Sequence, residues 1–152
     1  MAGGRKIVSL STTPTGAQQQ AIADTENVKF PSASDFNTTS TTGVDVAGSV
    51  KANTAKKATN KIRIKFKVVK SVDEKKEYSY AGVAKDGVLE ANSIAPLFHQ
   101  NADDEGTVTG LYEEVAGDTA AHNYSLQVYG EGGTVTVNQN QSNMIFEEIE
   151  VI

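Results

Sequence analysis

Histidine, the side chain best suited to acid-base and metal chemistry near neutral pH, occurs at two positions, His99 and His122. A histidine metal site on a β scaffold needs His-x-His together with a carboxylate, and these two residues are far apart in the chain. A catalytic pairing of His122 with Ser125 lacks a third, orienting group and a nucleophile elbow. We therefore predict a structural role for His122 and expect the chain not to be an enzyme.

Acidic residues offer two further candidates. The turn NADDEG, residues 101–106, clusters oxygen ligands that suit Ca²⁺, namely Asp103, Asp104 and Glu105. It lacks the spacing of a calcium loop with a distal bidentate glutamate, so a solvated turn is favoured. Glu147 and Glu148 are adjacent and would face opposite sides of a strand, which prevents them from acting as an acid-base pair. We expect no metal and no cofactor.

The glycines of YGEGGT, residues 129–134, are the last candidate for ligand chemistry. No Lys-Ser or Lys-Thr follows them, and a strand pattern rather than a helix comes next. This stretch predicts a hairpin turn and not a phosphate cradle.

Composition limits the class of protein. A chain of 152 residues suits one domain with a substantial core, and the absence of cysteine excludes disulfides and cysteine-based metal sites. The net charge of −5 argues against a nucleic-acid partner, which would require a basic face. No apolar run approaches the roughly 18 residues of a membrane span, so we expect neither nucleic-acid nor membrane binding.

Period-two patterns dominate the elements that must position any site. In NKIRIKFKVV, residues 60–69, the apolar residues alternate with the basic row Lys61, Arg63, Lys65 and Lys67. The basic row predicts a solvated face rather than a surface for an acidic partner. Similar patterns occur at residues 44–50, 78–82, 124–128, 135–137 and 144–152, whereas residues 85–100, with Pro96, fit no single period. We predict an all-β, antiparallel sandwich or barrel.

The first forty residues are polar and weakly patterned. They hold all but one of the prolines and a short apolar island from Val28 to Phe30. We predict an extended N-terminal arm over residues 1–40 that lies on another molecule, followed by one domain over residues 41–152.

Two stretches carry a family resemblance. AGDTAAHNYSLQVYGEGGTVTVNQNQSNMIFEEI, residues 116–149, resembles the end of the TNF/C1q-like jelly-roll domains of phage virion proteins, and VDVAGSVKANTAKKATNKIRIKFKVV, residues 44–69, resembles their earlier hairpin. The resemblance implies a jelly roll whose last strand is central in the inner sheet, beside a trimer axis. It therefore implies that the chain can end inside a strand. We expect a homotrimer with Tyr129, Met144, Phe146 and Ile149 near the axis.

The resemblance implies a virion structural protein without catalytic activity. The chain has no stalk ahead of the jelly-roll pattern, which favours a homotrimeric decoration (cement) protein that stabilises the head. Such a protein would lie on the outer surface of the capsid and bind the major capsid protein. The expected docking residues are spaced along the arm: Arg5, Lys6, Ile7, Val8, Leu10, Val28 and Phe30.

The alternative is a fibre-tip or receptor-binding head that recognises a host surface glycan. Exposed aromatic side chains over a shallow groove would favour it, with Tyr112 and Tyr129 as candidates. The number of copies per particle separates the two hypotheses, since decoration proteins are abundant and fibre tips are few.

Overall fold

A computed structural model describes residues 7–9, 20–30 and 35–151 of the chain. Thirteen strands lie in these ranges: β1 Ile7–Ser9, β2 Gln20–Lys29, β3 Phe36–Thr38, β4 Val44–Asp45, β5 Lys51–Thr54, β6 Lys61–Val72, β7 Glu77–Lys85, β8 Val88–Leu89, β9 Ala95–His99, β10 Gly106–Val115, β11 Ala121–Gly130, β12 Val135–Val137 and β13 Asn143–Val151. Two short 3-10 turns, Ala91–Ser93 and Gln139–Gln141, accompany them. No helix in the described ranges has the length and apolarity to cross a membrane.

The described strands form two sheets with antiparallel pairing throughout. Sheet A contains the order β1-β2-β13-β6, and β10 pairs with the other edge of β6. Strand β12 pairs with the C-terminal end of β6, and β3 pairs with β12. Sheet B is built around β11 and β7, which β4 and β5 join on one side and β8 and β9 on the other.

The eight described strands of four or more residues give the connectivity of a jelly roll. Numbered along the chain, they follow the order 1-8-3-6 in sheet A and 2-7-4-5 in sheet B. Successive strands of this set pass between the two sheets, except that the fourth and fifth, β7 and β9, are neighbours in sheet B. This is the connectivity of a double Greek key. The prediction of an all-β, antiparallel jelly-roll sandwich is confirmed.

Alternation along β6 and β13 builds the core. Ile62, Ile64 and Phe66 of β6 point between the sheets, where Met144 and Phe146 of β13 meet them. Their partners from sheet B are mainly Ala81, Val83, Tyr124, Leu126 and Val128. Burial of each large apolar side chain contributes about 1.5–3 kcal/mol, so this double layer is the main source of stability.

The N-terminal region differs from the predicted arm. Strand β2 pairs with β13 from Lys29 opposite Asn143 to Gln20 opposite Val151, and the side chains of Val28 and Phe30 are buried in the core. The polar sequence of β2 concealed this role because the strand obtains its hydrogen bonds from β13 and buries few side chains of its own. Strands β2 and β3 make residues 20–29 and 36–38 part of the sandwich rather than an appendage.

A carboxylate ties the two sheets together at one edge. Glu114 of β10 accepts hydrogen bonds from the hydroxyl groups of Tyr124, at 2.5 Å, and Tyr112, at 2.8 Å, and pairs with Lys85 Nζ at 2.9 Å. Burial raises the pKa values of both phenols, and the carboxylate beside them raises them further. Tyr112 is therefore a buried structural residue.

Candidate functional site

Four aromatic rings lie on the solvent face of sheet B. Strand β7 contributes Tyr78 and Tyr80, because the alternating Ser79 and Ala81 point inward. The register of the sheet places Phe98 of β9 opposite Tyr78 and Tyr129 of β11 opposite Tyr80. We call Phe98, Tyr78, Tyr80 and Tyr129 the aromatic ladder.

The rings of the aromatic ladder are in mutual contact. Ring centroids are 5.0 Å apart for Tyr78 and Phe98, 6.3 Å for Tyr78 and Tyr80, and 4.7 Å for Tyr80 and Tyr129. The last two pairs are stacked and the first is tilted by 54°. Tyr78 is 41% exposed and Phe98 44% exposed, so one end of the ladder is an open apolar surface. Contiguous apolar surface of this kind marks interaction sites on soluble proteins.

Polar groups border the ladder. The hydroxyl group of Tyr80 donates a hydrogen bond to Glu131 Oε1 at 2.6 Å, and this bond raises the pKa of Tyr80 to about 12. Among the described residues, the hydroxyl groups of Tyr78 and Tyr129 have no hydrogen-bond partner and are free for a ligand. Gln127, the next outward residue of β11, is held by bonds from its Nε2 atom to Asp45 Oδ1 and the carbonyl oxygen of Gly87. The surface thus presents fixed aromatic rings beside hydroxyl groups that can donate and accept hydrogen bonds.

The expected trimer residues are placed differently from the prediction. Met144 and Phe146 are fully buried in the core of their own chain, because the even positions of this part of β13 share the inward face of Ile62 and Ile64. Their side chains cannot contact a second subunit. Ile149 is also buried, whereas Tyr129 is partly exposed in the aromatic ladder. The trimer itself stays a prediction.

The expected docking residues are likewise separated. Val28 and Phe30 belong to the core, so they are unavailable as anchors for a capsid. Ile7 and Val8 lie in β1, at the edge of sheet A beside β2. Arg5, Lys6 and Leu10 lie outside the described residues.

Within the described ranges, neither histidine forms a catalytic group with an accessible nucleophile. His122 lies between Asp86 and Asp118, with Nδ1 2.7 Å from Asp86 Oδ2 and Nε2 2.9 Å from Asp118 Oδ1, and these two hydrogen bonds raise its pKa. Ser125 instead donates to Asp45 Oδ1 at 2.6 Å, so the possible pairing with His122 does not occur. These contacts are structural.

His99 does meet a serine, at a Nε2 to Oγ distance of 2.6 Å from Ser79. Both residues are buried between the sheets, and burial lowers the pKa of His99. A buried pair has no access to substrate.

The remaining acidic candidates lie in the turn before β10 and in β13. Asp103 lies in the exposed turn with a positive φ of 63°, and Asn101 caps the same turn by bonding Asp104. No group of three or more His, Asp and Glu side chains in the described ranges is arranged to hold a metal ion. Glu148 is buried and accepts hydrogen bonds from Lys56 N at 2.7 Å and Asn60 Nδ2 at 2.6 Å, whereas Glu147 lies 3.6 Å from Lys65 Nζ.

Sequence reasoning identified Tyr129 but missed the other three rings of the ladder. The motif Tyr78-Ser79-Tyr80 contained a usable signal, because two tyrosines at positions i and i+2 share a face and small residues between them suit a packed interior. The sequence could not show that Phe98 and Tyr129 are their neighbours, since this depends on the pairing of β9 and β11 with β7.

Comparison with known proteins gives little further information. No protein-family model matches the chain, and no curated protein matches it. A solved structure described as "EclA C-terminal domain; sugar-binding protein" is similar at 20% sequence identity and a TM-score of 0.34, over 86% of this chain and 79% of that one. A likeness at this level says nothing about a ligand of this chain.

Proposed function

We propose that the chain is a non-enzymatic binding domain that recognises a neutral glycan through the aromatic ladder. The observation that carries this proposal is the row of contacting rings that is open to solvent at Tyr78 and Phe98. A pyranose ring presents C–H groups on its face and hydroxyl groups at its edge. The aromatic rings bind the C–H face of the sugar, and the tyrosine hydroxyl groups together with Glu131 bind the hydroxyl groups at its edge.

The composition of the ladder favours a sugar over a protein partner. Three of its four rings are tyrosines, and the described outward surface around it contains no cluster of aliphatic side chains. The rings are fixed by stacking and cross-strand pairing, so little conformational entropy is lost when a ligand binds.

A glycan array followed by calorimetry on the best neutral ligand tests the proposal. Tyr78→Ala and Phe98→Ala should each weaken binding by about tenfold or more, because loss of a stacked ring removes its whole contact area. Val115→Ala is the matched control, since Val115 is 61% exposed but lies in β10 of sheet A. Absence of binding to any neutral glycan, or equal affinity of all three variants, would exclude the proposal.

The second candidate is the role implied by the family resemblance, a homotrimeric decoration protein on the outer surface of a phage capsid that binds the major capsid protein. The central position of β13 between β2 and β6 favours it, because the resemblance implied that arrangement. In this role we propose no enzymatic activity and no contact with nucleic acid or membrane. Light scattering tests the trimer, and counting copies in purified particles separates decoration from a fibre tip.

A further inference from the structure

The solvent face of sheet A carries a groove that is distinct from the aromatic ladder. It consists of two cavities of about 630 Å³ and about 420 Å³. The first lies between β2, the beginning of β13 and the turn Gln139–Gln141, and the second lies over β6 and β10. Lys67 and Asn143 line both, so the two cavities adjoin.

The lining of the first cavity is rich in amide side chains. Asn27, Asn140, Gln141 and Asn143 contribute from three separate elements, and none of the described lining residues is acidic. Asn143 Nδ2 donates to Asn27 Oδ1 at 3.4 Å, and the remaining amide donors and acceptors match hydroxyl groups that both donate and accept. We call this surface the amide groove. The second cavity has a more apolar lining, with Gly110, Leu111 and Ile145.

Lys67 gives the amide groove a positive charge that has no partner among the described residues. In the basic row of β6, Lys61 and Arg63 lie 3.8 Å and 3.4 Å from Glu113 Oε2, and Lys65 lies 3.6 Å from Glu147 Oε1. Lys67 makes no ion pair or hydrogen bond with any described residue. Its ammonium group is therefore available for an anion inside the groove.

Buried and partly buried hydrogen bonds hold the turn that carries Asn140 and Gln141. Ser142 Oγ accepts a bond from Val69 N at 2.9 Å and donates one to the carbonyl oxygen of Asn138 at 2.8 Å. Gln139 is buried, and its Nε2 atom donates to the carbonyl oxygen of Ala47 at 2.9 Å. These bonds attach the turn to β6 and to the segment before β5, so the exposed amides are presented from a fixed backbone.

We propose that the amide groove binds a carboxylate-bearing saccharide, a sialate or a hexuronate. The carboxylate lies on Lys67, the hydroxyl groups lie on the amides, and an apolar substituent such as an acetyl methyl group lies against Leu111 and Ile145. A simple anion would use only Lys67, and a neutral sugar would leave the ammonium group unpaired. This site is on the opposite face of the sandwich from the aromatic ladder, so it goes beyond the function proposed above.

Titration of the full chain with N-acetylneuraminate, glucuronate, N-acetylglucosamine and inorganic phosphate, followed by NMR, tests the site. We expect both acidic sugars to shift the amide side-chain signals of Asn140, Gln141 and Asn143. The Lys67→Gln variant should weaken acidic-sugar binding about tenfold or more, because a charge-assisted bond is lost. Lys61→Gln is the matched control in the same row, outside the groove and beside Glu113.

The outcomes separate this site from the aromatic ladder. Tyr78→Ala should leave acidic-sugar binding unchanged, whatever its effect on neutral glycans. The site is refuted if neither acidic sugar binds, if Lys67→Gln behaves like Lys61→Gln, or if phosphate binds as tightly as the sugars do.

Discussion

Among single residues, Lys70 combines full burial with a missing partner. It points between the sheets from β6, and its Nζ atom has no hydrogen-bond partner among the described residues. Loss of hydration lowers its pKa to about 7. The charge of Lys70 is close enough to His99 to add to the lowering of the pKa of His99. The cost of this lysine must be offset by the apolar packing around it.

Replacing Lys70 by methionine should stabilise the protein and reduce its pH dependence. The pKa of Lys70 is about 7 in the folded chain and about 10.5, the ordinary value, in the unfolded chain. Between these pH values the unfolded chain holds a proton that the folded chain has released, so the free energy of unfolding rises with pH. Below about pH 7 the cost of burying the charge is fully present. Lys70→Met should therefore add roughly 3 kcal/mol at pH 6 and much less at pH 10.

Urea denaturation of the wild-type protein and of Lys70→Met at pH 6, 8 and 10 measures this difference in the free energy of unfolding. Lys75→Met, at an exposed position in the turn between β6 and β7, is the control and should change stability little at any pH. Equal or lower stability of Lys70→Met at pH 6 would show that the buried lysine has a stabilising partner.

At the scale of elements, the sequence predicted the strands whose burial is one-sided. Strand β6 alternates apolar and basic residues along most of its length, so its inward and outward faces could be assigned from the pattern alone. Strand β2 could not be predicted in this way, because the polar residues 24–27 in its middle are exposed. Among its side chains whose burial is described, only Ala21 and Val28 are buried. The aromatic ladder and the amide groove depend on which strands become neighbours, which local patterns do not encode.

Strand β10 depends on a glycine where it passes the core. Gly110 pairs with Phe66 of β6, and a Cβ atom built on Gly110 would lie within 3.0 Å of three atoms of the Phe66 ring. Gly110→Ala should therefore cost about 1–3 kcal/mol by displacing that ring. Thermal or chemical denaturation measures the loss, with Thr109→Ala on the exposed face of the same strand as control. In the double variant Gly110→Ala/Phe66→Leu, the smaller leucine side chain should remove part of the clash. Its loss of stability should therefore be less than the sum of the losses of the two single variants. Wild-type stability of Gly110→Ala alone would contradict the proposed contact.

At the scale of the whole molecule, the N-terminal and C-terminal strands stabilise each other. β13 lies between β2 and β6, so each of its edges is hydrogen-bonded by a strand from a distant part of the chain. An arm over residues 1–40 would instead leave one edge of β13 open, which is a site of aggregation in β proteins. The pairing of β2 with β13 therefore covers this edge within the same chain.

Removal of residues 1–30 distinguishes the two descriptions of the N-terminal region. A separate arm predicts that the shortened chain melts like the full chain. The pairing of β2 with β13, together with burial of Val28 and Phe30, predicts a loss of at least about 4 kcal/mol and association through the exposed edge of β13. Thermal melting and light scattering measure both effects.

Val28→Ser and Asp24→Ser provide a matched pair in the full chain, since Val28 is buried and Asp24 is exposed. Only Val28→Ser should lower the melting temperature, and a shortened chain that melts normally as a dispersed species would refute the role of β2 in the sandwich.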